Sequence, residues 1–170
     1  MSITNAEAQE LIDMPKKIID HDSPCESYLL IPHDNTSERY NLHSLDGNIS
    51  FMMQIHQHFE QFKISLHLQE NDRYIQLYRI DFHGPHKNPD KYNKFVPEFM
   101  HPFAGKRLEE NHVHLFVESY KPLAWAIPLN VYDFRAKEVI DGNSLGDAIE
   151  EFCGKINIVT KVDCERRLFL

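Results

Sequence analysis

His112-Val-His114-Leu-Phe-Val-Glu118 places two imidazoles and a carboxylate within one short segment. Read as a β-strand, the segment divides between two faces. Val113, Leu115 and Val117 point into a core, while His112, His114, Phe116 and Glu118 point the other way. Alternate side chains on a strand stand ~6.5–7 Å apart, from a rise of roughly 3.3 Å per residue. At that spacing two imidazoles can converge on one metal ion, one phosphate or one proton-transfer site.

Three chemistries fit these residues. In the first, His112, His114 and Glu118 hold a divalent transition metal, since imidazole with carboxylate is a common catalytic ligand set. In the second, no cofactor is needed. One histidine acts as base and one as acid in phosphodiester cleavage, and Arg79 or Lys87 stabilises the phosphorane charge. Such a site would cleave RNA through its 2′-hydroxyl. In the third, the chain is a non-catalytic module that binds a partner protein through an aromatic-rich loop.

The elements that must position these groups read as one α+β domain over residues 1–170, mainly antiparallel sheet with N- and C-terminal helices on one face. Thr4-Asn-Ala-Glu7 forms a capping box for a first helix with Ala8, Leu11 and Ile12 inward, ended near Met14 by Pro15. Ile18 and Ile19 read as a second short turn. Strands follow over Glu26–Pro32, Arg39–Leu45, Ser50–His58, Phe62–Leu68 and Tyr74–Phe82, with Asp46-Gly47-Asn48 as a turn. In the fourth of these, Phe62, Ile64, Leu66 and Leu68 share one face. Residues 83–110 are too rich in Pro and Gly for long elements, and a loop of that length in a compact domain points to function or disorder. Leu123–Leu129 is a further strand, and Pro128 puts it at an edge. Ser144 caps a last helix that Gly154 ends, and Ile156–Val162 reads as the final strand.

If the strands alternate as written, their polar face carries Arg39, Asn41, His43, His56, His58, Ser65, His67, Arg79, Asp81, His112, His114 and Glu118. Imidazoles, guanidiniums and carboxylates on one surface suit acid–base, anion-binding or metal chemistry.

The chain of 170 residues is long enough for one proper core, and its apolar share of 42% is ordinary for a globular protein. A net charge of −8 argues against a large non-specific phosphate-binding surface but leaves room for a local basic patch. Cys25, Cys153 and Cys164 are odd in number and form no C-x-x-C pair, which suits a reducing cytoplasm and argues against both a disulfide framework and a zinc ribbon. No basic region followed by an apolar run opens the chain, and no apolar stretch reaches the ~20 residues of a membrane span. The expected location is cytoplasmic, with RNA or a protein as partner and no membrane.

Two resemblances sharpen the reading. The spacing His112-x-His114-x-x-x-Glu118 is similar to the ligand spacing of the first cupin motif, although the chain has no second cupin motif and Gly105 stands one residue too far away. Arg79-Ile-Asp81, His86-Lys-Asn88-Pro89-Asp90, His112-Val-His114-Leu-Phe-Val-Glu118 and Trp125-Ala-Ile-Pro128 together resemble a family of small uncharacterised bacterial proteins found also in mobile elements. That family's pattern runs R-L-D, H-R-N-P-D-G, H-x-H-x-Y-x-E and W-A-x-P. Here Lys91 replaces its glycine, so a different turn is expected, and Phe116 replaces its tyrosine, which removes a proton donor. The resemblance brings no established activity. It adds His86, Asn88 and Asp90 to the candidate region and puts His86 beside the histidine pair, with Asp81 orienting a ring nitrogen. The expected site is therefore His112, His114, His86, Glu118, Asp81 and Arg79. The first expectation is a metal-independent RNase of toxin or defence type, and the alternatives are a cupin-like metal protein and a binding module.

Overall fold

Thr4 opens the first helix as its spacing predicts. Its hydroxyl accepts the Glu7 N–H, and the Glu7 carboxylate accepts the Thr4 N–H in return. Helix α1 (Asn5–Asp13) buries Ala8, Leu11 and Ile12, and the chain leaves it through Met14, where Pro15 cannot continue the helical bonds. The computed structural model describes residues 2–61 and 63–167. The expected inward position of Phe62 lies outside the described residues.

The strands are β1 (Lys16–Asp20), β2 (Ser23–Pro24), β3 (Ser27–Leu30), β4 (Thr36–Ser44), β5 (Ser50–His58), β6 (Lys63–Glu70), β7 (Ile75–Phe82), β8 (His86–Lys87), β9 (Arg107–Leu108), β10 (His112–Leu115), β11 (Trp125–Pro128) and β12 (Lys161–Cys164). Eight of them form one antiparallel sheet in the order β11-β10-β7-β6-β5-β4-β1-β2. From β4 to β7 the chain runs as a meander, because short turns join strands whose alternate residues are apolar. Then it leaves the sheet for residues 83–111 and returns on the far side of β7. That excursion makes β10 the neighbour of β7.

One face of this sheet is the core. Leu42, Phe51, Met53, Ile55, Ile64, Leu66, Leu68, Tyr78, Ile80, Phe82, Val113 and Trp125 are all buried there. Helix α2 (Gly142–Lys155) lies on that face. The Phe152 ring stacks on Tyr78 at 5.5 Å, and the Cys153 Sγ meets the Met53 Sδ at 3.8 Å. The three cysteines are free thiols, as their spacing implies. The fold class read from the sequence is therefore the one observed. Among the described residues no helix is long and apolar enough to cross a membrane.

Several local readings change. Lys16–Asp20 is a strand and not a turn, because Lys16, Lys17 and Ile18 pair with Ser44, His43 and Leu42. Asp141 caps α2, and Ser144 is the reciprocal partner three residues on. The helix runs past Gly154, and the left-handed residue after it is Asn157, at φ 55°. The last strand begins at Lys161 and not at Ile156, and pairs in parallel with β3.

Lys16 joins the two helices. Its side chain is fully buried, and its Nζ donates to the carbonyls of Ile12 (2.8 Å), Met14 (2.7 Å) and Ile156 (2.9 Å). Those carbonyls lie at the C-terminal ends of α1 and α2, where helical partners run out. The ammonium also stands 4.6 Å from the centre of the Phe51 ring, on its face.

Candidate functional site

Strand pairing assembles the site. His112 stands opposite Asp81, and His114 stands opposite Arg79. On the next strand Ser65 and His67 stand opposite Asp81 and Arg79. All six point away from the core, since Val113, Ile80 and Leu66 between them are buried on the other face.

Each imidazole of the pair is oriented by a backbone carbonyl. The His112 Nδ1–H donates to Glu110 O at 2.9 Å, and the His114 Nδ1–H donates to Leu123 O at 2.8 Å. These bonds orient both rings and leave both Nε2 atoms for another partner. Both Nε2 atoms face the same carboxylate oxygen: Asp81 Oδ2 lies 2.9 Å from His114 Nε2 and 3.5 Å from His112 Nε2. The other Asp81 oxygen accepts the Ser65 hydroxyl at 2.6 Å. Arg79 donates its Nε–H to Asp81 at 3.0 Å, and its Nη2 lies 2.9 Å from His114 Nε2.

The electrostatics follow from burial. Removal from water pushes the Asp81 carboxyl up, but the bonds to His112 and His114 and the Arg79 charge together outweigh it and hold the group well below the usual carboxylate range. Burial also pushes the His114 imidazole below its ordinary range, by more than the bond to Asp81 lifts it. With its Nδ1–H committed to Leu123 O, His114 turns only Nε2 toward Asp81, and the Arg79 guanidinium brings a positive charge to the same point.

His86 packs against the pair. Its ring centre lies 4.5 Å from that of His114, edge-on, and 5.8 Å from that of His112. Its Nε2–H is spent on Ala124 O at 2.9 Å, and burial lowers its basicity. Glu118 does not join the cluster. The strand ends at Leu115, so the alternation that placed Glu118 beside the histidines stops short, and its backbone N–H turns to Asn5 Oδ1. Among the described residues Asp81, His112 and His114 form the only group of three such side chains whose ligand atoms all lie within 4.8 Å of one another. The carboxylate of the set is thus Asp81 from the neighbouring strand.

Asn88 does structural work that its position in a loop did not reveal. Its Oδ1 accepts the Ala126 N–H at 2.8 Å, and its Nδ2 donates to Ala126 O at 2.7 Å and Phe103 O at 3.0 Å. The amide thereby covers the outer edge of β11 as a neighbouring strand would. Pro128 marked that edge in the sequence, and a covered edge implies a capping group nearby. We expect Asn88→Ala to cost about 2–3 kcal/mol, because two buried hydrogen bonds and one part-buried one lose their partner. Urea unfolding reads this as a lower midpoint at unchanged slope. An unchanged midpoint would mean that water replaces the amide. Asp90 lies outside the cluster, exposed and paired with Lys87.

The chain belongs to a family of unknown function, DUF6978, which matches residues 3–158. This agrees with the resemblance to an uncharacterised family. No curated protein and no solved structure matches the chain.

Proposed function

We propose that Asp81, His112 and His114 hold a divalent transition-metal ion. One observation carries the reading: two backbone carbonyls turn both Nε2 atoms onto a single carboxylate oxygen. In a tetrahedral zinc site with bonds near 2.1 Å, ligand atoms stand about 3.4 Å apart. The observed separations of 2.9 and 3.5 Å bracket that value. Two imidazoles and one carboxylate suit zinc, iron or nickel, and a three-ligand site leaves a position open for water or substrate. Only the spacing of the histidines is cupin-like here, since the carboxylate comes from another strand.

Metal-independent RNA cleavage, of toxin or defence type, is the second reading. The proximity of Arg79 favours it, because a guanidinium beside two imidazoles could stabilise a phosphorane. Against it, His112 and His114 are each only 1% exposed, and their free nitrogens face Asp81 and not solvent. An acid–base pair must reach its substrate.

Zinc titration of protein freed of metal tests the reading. One equivalent per chain is expected. Absence of binding would overturn the metal site and return the argument to the histidines alone. Arg79 decides further. An incoming ion would displace its Nη2 from His114, and a divalent ion ~4 Å from the guanidinium costs up to about 8 kcal/mol at an effective dielectric near 20. The side chain is one-third exposed, so it can swing aside and relieve much of this. Arg79→Gln is therefore expected to tighten zinc binding about tenfold, or ~1.4 kcal/mol. Weaker binding in that variant would mean that Arg79 builds the site instead of competing for it.

A further inference from the structure

The face that carries the cluster continues, uncovered by either helix, across β7, β6, β5 and β4. Its charge differs from that of the whole molecule. The chain carries 26 acidic and 18 basic residues. Yet the strand residues facing outward from β4 to β7 include a single carboxylate, Asp81, which is already engaged by Arg79, Ser65 and the histidines. The same face presents Arg39 from β4, Lys63 from β6 and Arg79 from β7. Arg39 and Lys63 are exposed, and among the described residues neither pairs with a carboxylate. Between them lie the hydrogen-bonding side chains of Gln54, His56 and His67.

From the geometry we infer that this face is the bed for a single-stranded nucleic acid, laid across the strands towards the histidine cluster. Charge complementarity carries the choice of partner. A surface with unpaired cations and no free carboxylate, set in an acidic protein, selects a polyanion by steering and by repulsion elsewhere. A protein partner would want an apolar centre to its interface, and the outward residues here offer only Met52, which is itself buried. From β4 to β10 there are four strand steps of about 4.8 Å, or roughly 19 Å, which gives room for a few nucleotides of extended chain. The rings that β5 and β6 present on this face are the imidazoles of His56, His58 and His67, with no Phe, Tyr or Trp among them, so base stacking is limited, affinity comes mainly from phosphates and sequence preference is weak. The inference goes beyond the metal site and does not depend on it, since the strand residues bind with or without an ion.

Fluorescence anisotropy of a labelled twelve-nucleotide oligouridine, measured in the presence of a chelator, tests this apart from the metal. Two neutralised phosphates, at Arg39 and Lys63, give a slope of log K against log salt of about −1.4 for a single strand, so binding should weaken roughly sevenfold from about 50 to 200 mM salt. The double variant Arg39→Ala/Lys63→Ala should bind at least about tenfold more weakly, and its slope should fall close to zero. Lys161→Ala, an exposed lysine on β12, should bind as the parent does. An equally strong deoxy-oligonucleotide would support the same backbone-directed bed. No saturable binding, an unaffected double variant, or tighter binding to a duplex of equal length would each overturn the proposal. Circular dichroism confirms that the surface variants are folded.

Discussion

Asp81→Asn is expected to lower zinc affinity at least about 100-fold while the protein stays folded, since loss of groups that only orient ligands already costs 10–100-fold. The amide keeps the shape of the carboxylate but contributes no charge. In the native protein Asp81 Oδ2 is the one atom faced by both Nε2 atoms, so the substitution removes a ligand and the anion that balances the ion. Asparagine can still accept the Ser65 hydroxyl through its carbonyl, which limits the structural damage. Competition with a chromophoric chelator gives the affinity, and thermal unfolding without metal gives the stability. Unchanged affinity in a folded variant would show that the ion binds elsewhere, and the three-ligand reading would fall.

Lys16→Met should lower folding stability by about 3 kcal/mol, because two buried carbonyls and one part-buried carbonyl lose a shared donor. Methionine fills most of the volume, so the loss reports the hydrogen bonds and the charge more than a cavity. Against a typical domain stability of 5–15 kcal/mol this is a large fraction. Lys17→Met is the natural comparison. Lys17 is next in the same strand, but its ion pair with the exposed Glu26 is a surface contact worth under about 1 kcal/mol. Urea midpoints for the two variants should separate clearly. If they coincide, the carbonyls are satisfied by water in the variant, and the ammonium is not what ties the helix ends together.

Much of the fold was legible because its elements are locally consistent. The Thr4–Glu7 capping box, the β5 boundaries and the outward placement of Arg79 and Asp81 all follow from short-range pattern. What alternation cannot supply is register between distant strands. That His112 meets Asp81, and His114 meets Arg79, depends on β10 pairing with β7 across a 29-residue excursion. For the same reason Glu118 was the nearer carboxylate in sequence but Asp81 is the one in space. Asn88 reads as a turn residue because its partner Ala126 is 38 positions away. Nothing local in the sequence signals that two helix ends converge on Lys16. At α2 both Asp141 and Ser144 are good caps, and only the reciprocal bond between them decides which one starts the helix.

The most direct measurement is X-ray absorption at the zinc edge of the one-to-one complex. Coordination by nitrogen and oxygen at about 2.0–2.1 Å, with the outer-shell scattering of two imidazoles, is the predicted result. Sulfur at about 2.3 Å, or a shell of light atoms without imidazole, would place the ion away from His112 and His114 and contradict the account.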